Sequence, residues 1–459
     1  MEFITSLFPY QEEAVEKLSH VKVGALYMEM GTGKTRTALE LIKRRLDAGK
    51  VEQALWLCPY STVRSMPELV AEHVCGADII MFAGIESLSN SERIFNNLKQ
   101  YVEERPTYLI VDESLLVKNP YAYRTKNVIS ISNKCKYKLI LNGTPTSKNI
   151  ADLYAQWYVL DWRILGYQSF WSFSANHLEF DPDRPGRVVR AHNTDYLASK
   201  IAPYTYEVEK KDVLSLPHKL YKTKHFRLTD EQDDHYDKIS EELVGLIDER
   251  RPETIYRLLS ATKAITSGFA IRLDGYHSSR LRMYQPCDNP RIQALMDVLL
   301  EIGDAQAVIY CQFTQEIDDI VSMLGDKAIQ FHGELSQKVR QENKNLFKAG
   351  EKQYLVANKS CAQFGLNLQF CHNEVFYNND WDWGTRQQAE DRLHRVGQDH
   401  DVHIYDIVAE YTVDVTVMRC LEKKEDIAGL FKAAVRKNNK KTALNTLLRG
   451  GCNGKDLPE

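Results

Sequence analysis

Met28–Thr35, MEMGTGKT, constrains the fold more than any other stretch of this chain. The short apolar run Gly24–Tyr27 leads into it, and RTALELIKRRL, which has the look of a helix, follows. A strand, a tight glycine-bearing loop and a helix in that order form a phosphate-binding loop. Its backbone N–H groups converge on an anion, and the helix N-terminus adds positive potential. Lys34 then reaches the β- and γ-phosphates, and Thr35 holds Mg²⁺ through its hydroxyl. The full pattern asks for Gly at position 28, where this chain has Met; Gly31 and Gly33 still permit the sharp turn. Met30, Gly31, Thr32, Gly33, Lys34 and Thr35 are therefore the expected nucleotide contacts.

Strands and helices alternate around this loop. Residues 54–58, ALWLC, read as a buried strand ended by Pro59, and residues 78–82, DIIMF, as another. TYLIVDES at 107–114 runs into Asp112-Glu113, a carboxylate pair at a strand tip, where an α/β sheet presents its ligands. Asp112 suits a nucleotide's Mg²⁺, and Glu113 suits orienting or deprotonating an attacking water. YKLILNGTP at 137–145 repeats the strand-and-tip pattern. Upstream, Tyr10 and Gln11 lie on an amphipathic helix over residues 7–18, and a Gln amide can pair with both the donor and the acceptor edge of adenine.

From about 148 to 285 the alternation lapses. Residues 150–178 are aromatic and helical in pattern, as for the core of an added helical subdomain, and residues 229–268 form a long charged helical region. A second α/β half follows, with strands in 307–314, 327–334, 352–359, 373–380 and 403–408 and no second phosphate loop. Its key stretch is QQAEDRLHRVGQ, 387–398. On a helix, Gln388, Arg392 and Arg395 share one face at i, i+4 and i+7. That face is either solvated surface or a pair of arginines presented to a nucleotide, where arginine stabilises transferred phosphoryl charge.

A chain of 459 residues holds two or three domains. Hydrophobic content of 43% and charged content of 27% are those of a globular protein. No apolar run reaches the length of about 18 residues needed to span a bilayer, so no membrane association is expected. The N-terminus lacks a secretory pattern, and nine cysteines without a C-x-x-C pair point to reduced thiols in a cytoplasmic setting. The net charge of -4 means that any groove for nucleic acid is a local one.

The ordered motifs resemble those of the Swi/Snf-like ATPases of helicase superfamily two, a DEAD/DEAH-box-like group of double-stranded DNA translocases. Tyr10-Gln11 resembles the adenine-reading Q motif and MEMGTGKT motif I. LCPYSTV (57–63) and AGIESL (83–88) resemble motifs Ia and Ib, DESLLVKNP (112–120) motif II, and NGTPTSKNIADLY (142–154) motif III. KKDVLSLP (210–217) is similar to the segment joining the halves, and YCQFT, FHGE, CAQFGLNL (361–368) and QAEDRLHRVGQ to the second-lobe motifs. Leu115 stands where the family has His, and Trp383 where it has Pro.

The resemblance implies an α/β fold of two RecA-like parallel-sheet lobes with helical insertions, ATP and Mg²⁺ as cofactors, and ATP hydrolysis driving movement along double-stranded DNA. Lys34, Asp112, Glu113, Gln388, Arg392 and Arg395 are then the catalytic set. Gly365 joins the nucleotide contacts, and Ser61, Thr62, Ser87 and Asn367 are the DNA-side positions. The expected organisation is a first lobe over 1–215 with a helical insertion around 148–210, a helical linker over 216–285, a second lobe over 286–425 and a basic tail over 426–459. The family's large flanking modules have no counterpart among these motifs, which leaves a place for a protein partner. A strand-separating DNA or RNA helicase and a nucleotide-gated clamp with little hydrolysis are the alternatives. The tail segment 432–449 carries six basic side chains and no acidic one. It either braces the second lobe through Ala433, Val435, Leu444, Leu447 and Leu448, or adds phosphate contacts from Arg436, Lys437, Lys440 and Lys441.

Overall fold

The computed structural model describes residues 1–146, 149–181, 188–214, 216–247, 253–274, 277–359, 367–379, 383–423, 427–435 and 439–451. The chain divides into two units, Met1–Ser215 and Leu216–Glu459.

The sheet of the first unit has six strands: β1 (Val23–Met28), β2 (Gln53–Cys58), β3 (Ile80–Gly84), β4 (Thr107–Val111), β5 (Tyr137–Asn142) and β6 (Thr205–Val208). All neighbours are parallel, in the order β6-β1-β5-β4-β2-β3. Side chains alternate across the sheet, so each strand supplies two cores. Leu55, Leu57, Leu109 and Val111 enter one face; Ala54, Trp56, Tyr108 and Ile110 enter the other. Because the strands are parallel, their C-terminal tips share one edge, and the loops carrying the predicted site residues gather there.

The aromatic stretch packs directly on this sheet. Helices Ala151–Leu165 and Phe170–His177 bury Trp157 and Phe173 in the same core as Leu55 and Val111. The Trp157 indole donates to the Tyr27 hydroxyl of β1 at 3.1 Å. Trp171, expected in the core, is instead 77% exposed.

The second unit also has a parallel six-stranded sheet: β7 (Lys219–Phe226), β8 (Ala307–Cys311), β9 (Ala328–Phe331), β10 (Tyr354–Asn358), β11 (Asn373–Phe376) and β12 (Val402–Ala409), in the order β7-β12-β11-β8-β10-β9. The two lobes are thus RecA-like in architecture. β7 lies in the segment expected to be a helical linker. Its lysines disguise it: Lys222 and Lys224 reach Glu301 and Asp297 over one face of the sheet, while Lys219 reaches Glu390 over the other.

Helices Asp230–Gly245, Glu253–Thr266, Val413–Glu422, Ile427–Val435 and Lys440–Leu448 build a separate core in this unit. The Tyr236 hydroxyl, fully buried, donates to the Leu448 carbonyl at 2.7 Å and accepts from the Val413 N–H at 2.9 Å. Val435, Leu444 and Leu448 are buried there, with Ala434 in place of Ala433. Lys441 pairs with Glu241 at 3.6 Å, and Arg449 with Asp233 and Asp237 at 2.6 and 2.5 Å. Arg436 and Lys437 lie outside the described residues. The last helix thus packs into this core. Leu444→Ala is expected to cost about 2–5 kcal/mol in denaturant unfolding. Lys441→Gln, which breaks an exposed pair, should cost less than about 1 kcal/mol.

Candidate nucleotide and nucleic-acid site

The phosphate loop leaves β1 at Met28 and re-enters regular structure at Lys34, the first residue of helix Lys34–Asp47. Gly31 and Gly33 have φ of 85° and 83°, the left-handed region that excludes most side chains. The loop is tied from within: Thr32 donates through its N–H and its hydroxyl to the Glu29 carbonyl at 3.3 and 2.7 Å. Lys34 Nζ donates to the Met28 carbonyl at 2.7 Å. The N–H groups of the helix's first turn, including that of Thr35, have no partner within the helix.

Tyr10 and Gln11 meet this loop directly. The Tyr10 hydroxyl and Gln11 Nε2 both donate to the Thr32 carbonyl, at 2.9 and 3.0 Å. Gln11 Oε1 accepts from the Phe8 N–H at 3.0 Å, and the side chain is buried. In this structure the Gln11 amide thus spends its acceptor and one N–H on bracing the loop. A Cβ on Gly33 would stand 2.2 Å from Gln11 Nε2. Gly33→Ala therefore meets both a forbidden φ and a clash. Its expected result is a destabilisation of about 1–3 kcal/mol and loss of nucleotide affinity, read by thermal unfolding and titration with a fluorescent nucleotide.

Asp112 and Glu113 follow β4. The Asp112 carboxylate accepts from the Trp56 indole at 3.3 Å and from the Glu113 N–H at 2.9 Å. Burial pushes its carboxyl up to about 6, the neighbouring Glu113 adds to this, and the charge of Lys34 opposes it. Lys34 and Asp112 are thus within electrostatic reach of each other. Glu113 is held at φ 49° and ψ 55°, a conformation that a non-glycine residue adopts at a cost.

Three further residues support the site. Trp56, on β2, orients Asp112. Glu29 accepts from the Lys210 N–H at 2.6 Å and fixes the loop's start. Gln156 accepts from the Ser114 hydroxyl at 2.6 Å and donates to the Pro145 carbonyl at 3.0 Å, joining the segment after Asp112-Glu113 to Gly143-Thr144-Pro145. The Asp-Glu-Ser-Leu spelling, with Leu115 in place of His, therefore retains a polar link through Ser114. Each has its partner far along the chain, 56 residues away for Trp56, 181 for Glu29 and 42 for Gln156, so no local pattern marks the contact.

Ser61 and Thr62 sit in a 3₁₀ turn after β2, and Ser87 begins helix Ser87–Asn90 after β3. β2 and β3 are neighbours. The Glu86 carboxylate accepts from the Tyr60 N–H at 2.8 Å, which braces one turn on the other. The three hydroxyl residues, all half-buried, are thereby brought to one place.

In the second unit the arginine stretch departs from the expected single helix. The helix is Trp383–Glu390; Gln388 lies on it, but Arg392 and Arg395 lie in the turns that follow. The cause is Gln398, whose buried amide donates to the carbonyls of Cys371 and Leu393 at 3.0 and 3.2 Å, together with Gly397 at φ 92°. Arg395 bonds the Asn367 side chain, and the Arg392 carbonyl accepts from the Leu368 N–H at 3.1 Å. Asn367 and the two arginines are thus assembled together, while Gln388 is half-buried in the helix. Gly365 lies outside the described residues.

Three protein-family profiles match the chain: "Type III restriction enzyme, res subunit" over residues 4–66, "SNF2-related domain" over 69–267 and "Helicase conserved C-terminal domain" over 290–397. A Bacillus subtilis protein named as an uncharacterized ATP-dependent helicase, YqhH, is 23% identical over 91% of this chain and 78% of its own length. The transcription regulatory protein SNF2 of Saccharomyces cerevisiae is 22% identical over 92% of this chain, which spans 27% of that protein. The solved SWI2/SNF2 ATPase core of Sulfolobus solfataricus in complex with dsDNA is 21% identical, with 97% of this chain and 98% of that chain covered and a TM-score of 0.42.

Proposed function

The chain belongs to the Swi/Snf-like ATPases of helicase superfamily two, and from that premise we propose that it hydrolyses ATP to move along double-stranded DNA. The observation that carries the chemistry is the convergence at one sheet edge of the tied loop Met28–Lys34 with Asp112-Glu113, Lys34 within electrostatic reach of the Asp112 carboxyl. In this reading Lys34 exchanges the Met28 carbonyl for the β- and γ-phosphates. The first-turn N–H groups of helix Lys34–Asp47 take the remaining phosphate oxygens. Glu113 positions the attacking water and takes its proton, its backbone geometry fixing where the carboxylate points.

Mg²⁺ fits the donor set of the Thr35 hydroxyl and the Asp112 carboxylate, hard oxygens beside a crowded carboxylate pair. When bound, it neutralises charge on the transferred phosphoryl group. Arg392 and Arg395 complete the set as stabilisers of that charge. Gly365 is kept as a nucleotide contact on the family's pattern alone.

The hydroxyl groups of Ser61, Thr62 and Ser87, with Asn367 in the second unit, supply sequence-independent phosphate contacts. The braced pair of turns at Tyr60 and Glu86 supports this assignment. A cytosolic setting belongs to the same reading, supported by the described cysteines, all of them free. No helix among the described residues is long and apolar enough to cross a membrane.

The test is steady-state ATP hydrolysis with duplex, single-stranded and forked DNA and with RNA. Stimulation by blunt duplex, with displacement of a triplex-forming third strand and no fork separation, is the expected result. Fork separation without a need for duplex moves the assignment to a strand-separating helicase. Nucleotide-dependent DNA binding without turnover moves it to a clamp.

A further inference from the structure

The chain leaves the first unit at residue 215, and the residues that open the second unit do not run free. The Pro217 carbonyl lies 2.8 Å from His394 Nε2. A carbonyl can only accept, so that nitrogen carries the proton. The His218 N–H donates to Asp401 at 2.8 Å. Lys219 Nζ reaches Glu390 at 2.9 Å and Asp391 at 3.5 Å, with only 2% and 5% of those side chains exposed. His394 stands between Arg392 and Arg395, and Glu390 and Asp391 immediately precede them.

Glu390 is the node of this contact. Besides Lys219, it accepts from Arg386 Nε at 2.7 Å and from the Tyr221 hydroxyl at 2.9 Å. Arg386 in turn donates to Asp406 of β12 at 3.0 Å and lies 3.5 Å over the Phe376 ring of β11. Burial pushes the Glu390 carboxyl up, but Arg386 and Lys219 outweigh burial and hold it below the usual carboxylate range. The helix itself is thus pinned to the sheet. Beyond Glu390 the backbone bonds run as turns, with the His394 N–H donating to the Glu390 carbonyl at 2.9 Å as the last of helical spacing, and the connector touches three of the six residues from Glu390 to Arg395.

We propose that the connector 216–219 clamps the arginine-bearing turns, with Lys219 and His394 as positioning residues that hold Arg392 and Arg395 for the hydrolytic step. The clamp rests on the role given above to those arginines. The chain that leaves the first unit is the chain that holds these turns.

The experiment is ATP hydrolysis at saturating duplex DNA across a range of ATP, comparing His394→Ala, His394→Gln, Lys219→Gln and Arg392→Ala with the full chain. His394→Ala is expected to lower kcat roughly tenfold, the effect of one lost hydrogen bond on a placement the transition state needs. The KM for ATP should not move, and His394→Gln, which keeps an N–H donor, should recover most of the rate. Lys219→Gln should act in the same direction; if it does not fold, the His394 pair decides alone. An unchanged kcat in folded His394→Ala, or a loss that His394→Gln does not recover, overturns the clamp. If Arg392→Ala itself hydrolyses normally, the arginine assignment fails. If Arg392→Ala is inactive while His394→Ala is not, the clamp alone fails.

Discussion

Glu113→Gln is expected to bind ATP with wild-type affinity and to hydrolyse it about 10²–10⁴-fold more slowly, the contribution of a positioned general base. Glutamine keeps the size and hydrogen-bonding reach of glutamate, so the backbone at φ 49° and the loop that follows should be preserved. What it loses is the ability to take a proton. Removing the Glu113 charge also relieves Asp112, whose carboxyl is pushed up partly by that neighbour. Nucleotide binding should therefore be no weaker. Lys34→Ala makes the contrast. Its ammonium is both the phosphate anchor and the charge that opposes the rise at Asp112, so both hydrolysis and nucleotide affinity should fall. Equilibrium binding and single-turnover hydrolysis separate the two. Wild-type turnover in Glu113→Gln would remove Glu113 from the mechanism.

Much of this architecture is legible in the chain before any coordinates. Buried parallel strands such as ALWLC and TYLIV are apolar runs ending in a turn or a carboxylate, so periodicity and punctuation locate them and the tips that carry Lys34 and Asp112. The edge strand β7 escapes because KLYKTKHF answers surface carboxylates on one face and buried ones on the other, and lysine-rich alternation carries no apolar signature. Helical spacing also overruns at 387–398. The i, i+4, i+7 pattern is present, yet buried Gln398 draws its segment inward and ends the helix at Glu390. Gln11 is found by its motif, but its contact with the phosphate loop is not, because the Thr32 carbonyl it reaches lies 21 residues away. The contacts of Trp56, Glu29 and Gln156 escape for the same reason: their partners are distant in sequence.

Arg392 and Arg395 allow the other large effect to be predicted. Alanine at either is expected to reduce DNA-stimulated hydrolysis by about 10³-fold or more, the scale of an arginine that stabilises phosphoryl-transfer charge. Nucleotide binding should be nearly unchanged, since the phosphate loop belongs to the other unit. Lysine should not substitute, because a point charge cannot reproduce a planar fork of donors. A merely surface-exposed arginine would cost under about 1 kcal/mol of stability and no rate. Arg395 requires a further control, because its guanidinium bonds the side chain of Asn367, itself assigned to DNA. If the work of Arg395 is to hold Asn367, then Asn367→Ala should reproduce the whole Arg395→Ala phenotype, DNA affinity included. If Arg395 acts on the phosphoryl group, Asn367→Ala should raise the DNA concentration needed for stimulation while leaving the DNA-saturated rate well above that of Arg395→Ala. Both variants leave the buried Gln398 clamp and the Arg386–Asp406 pair intact, so the turns keep their support and the rates can be compared directly.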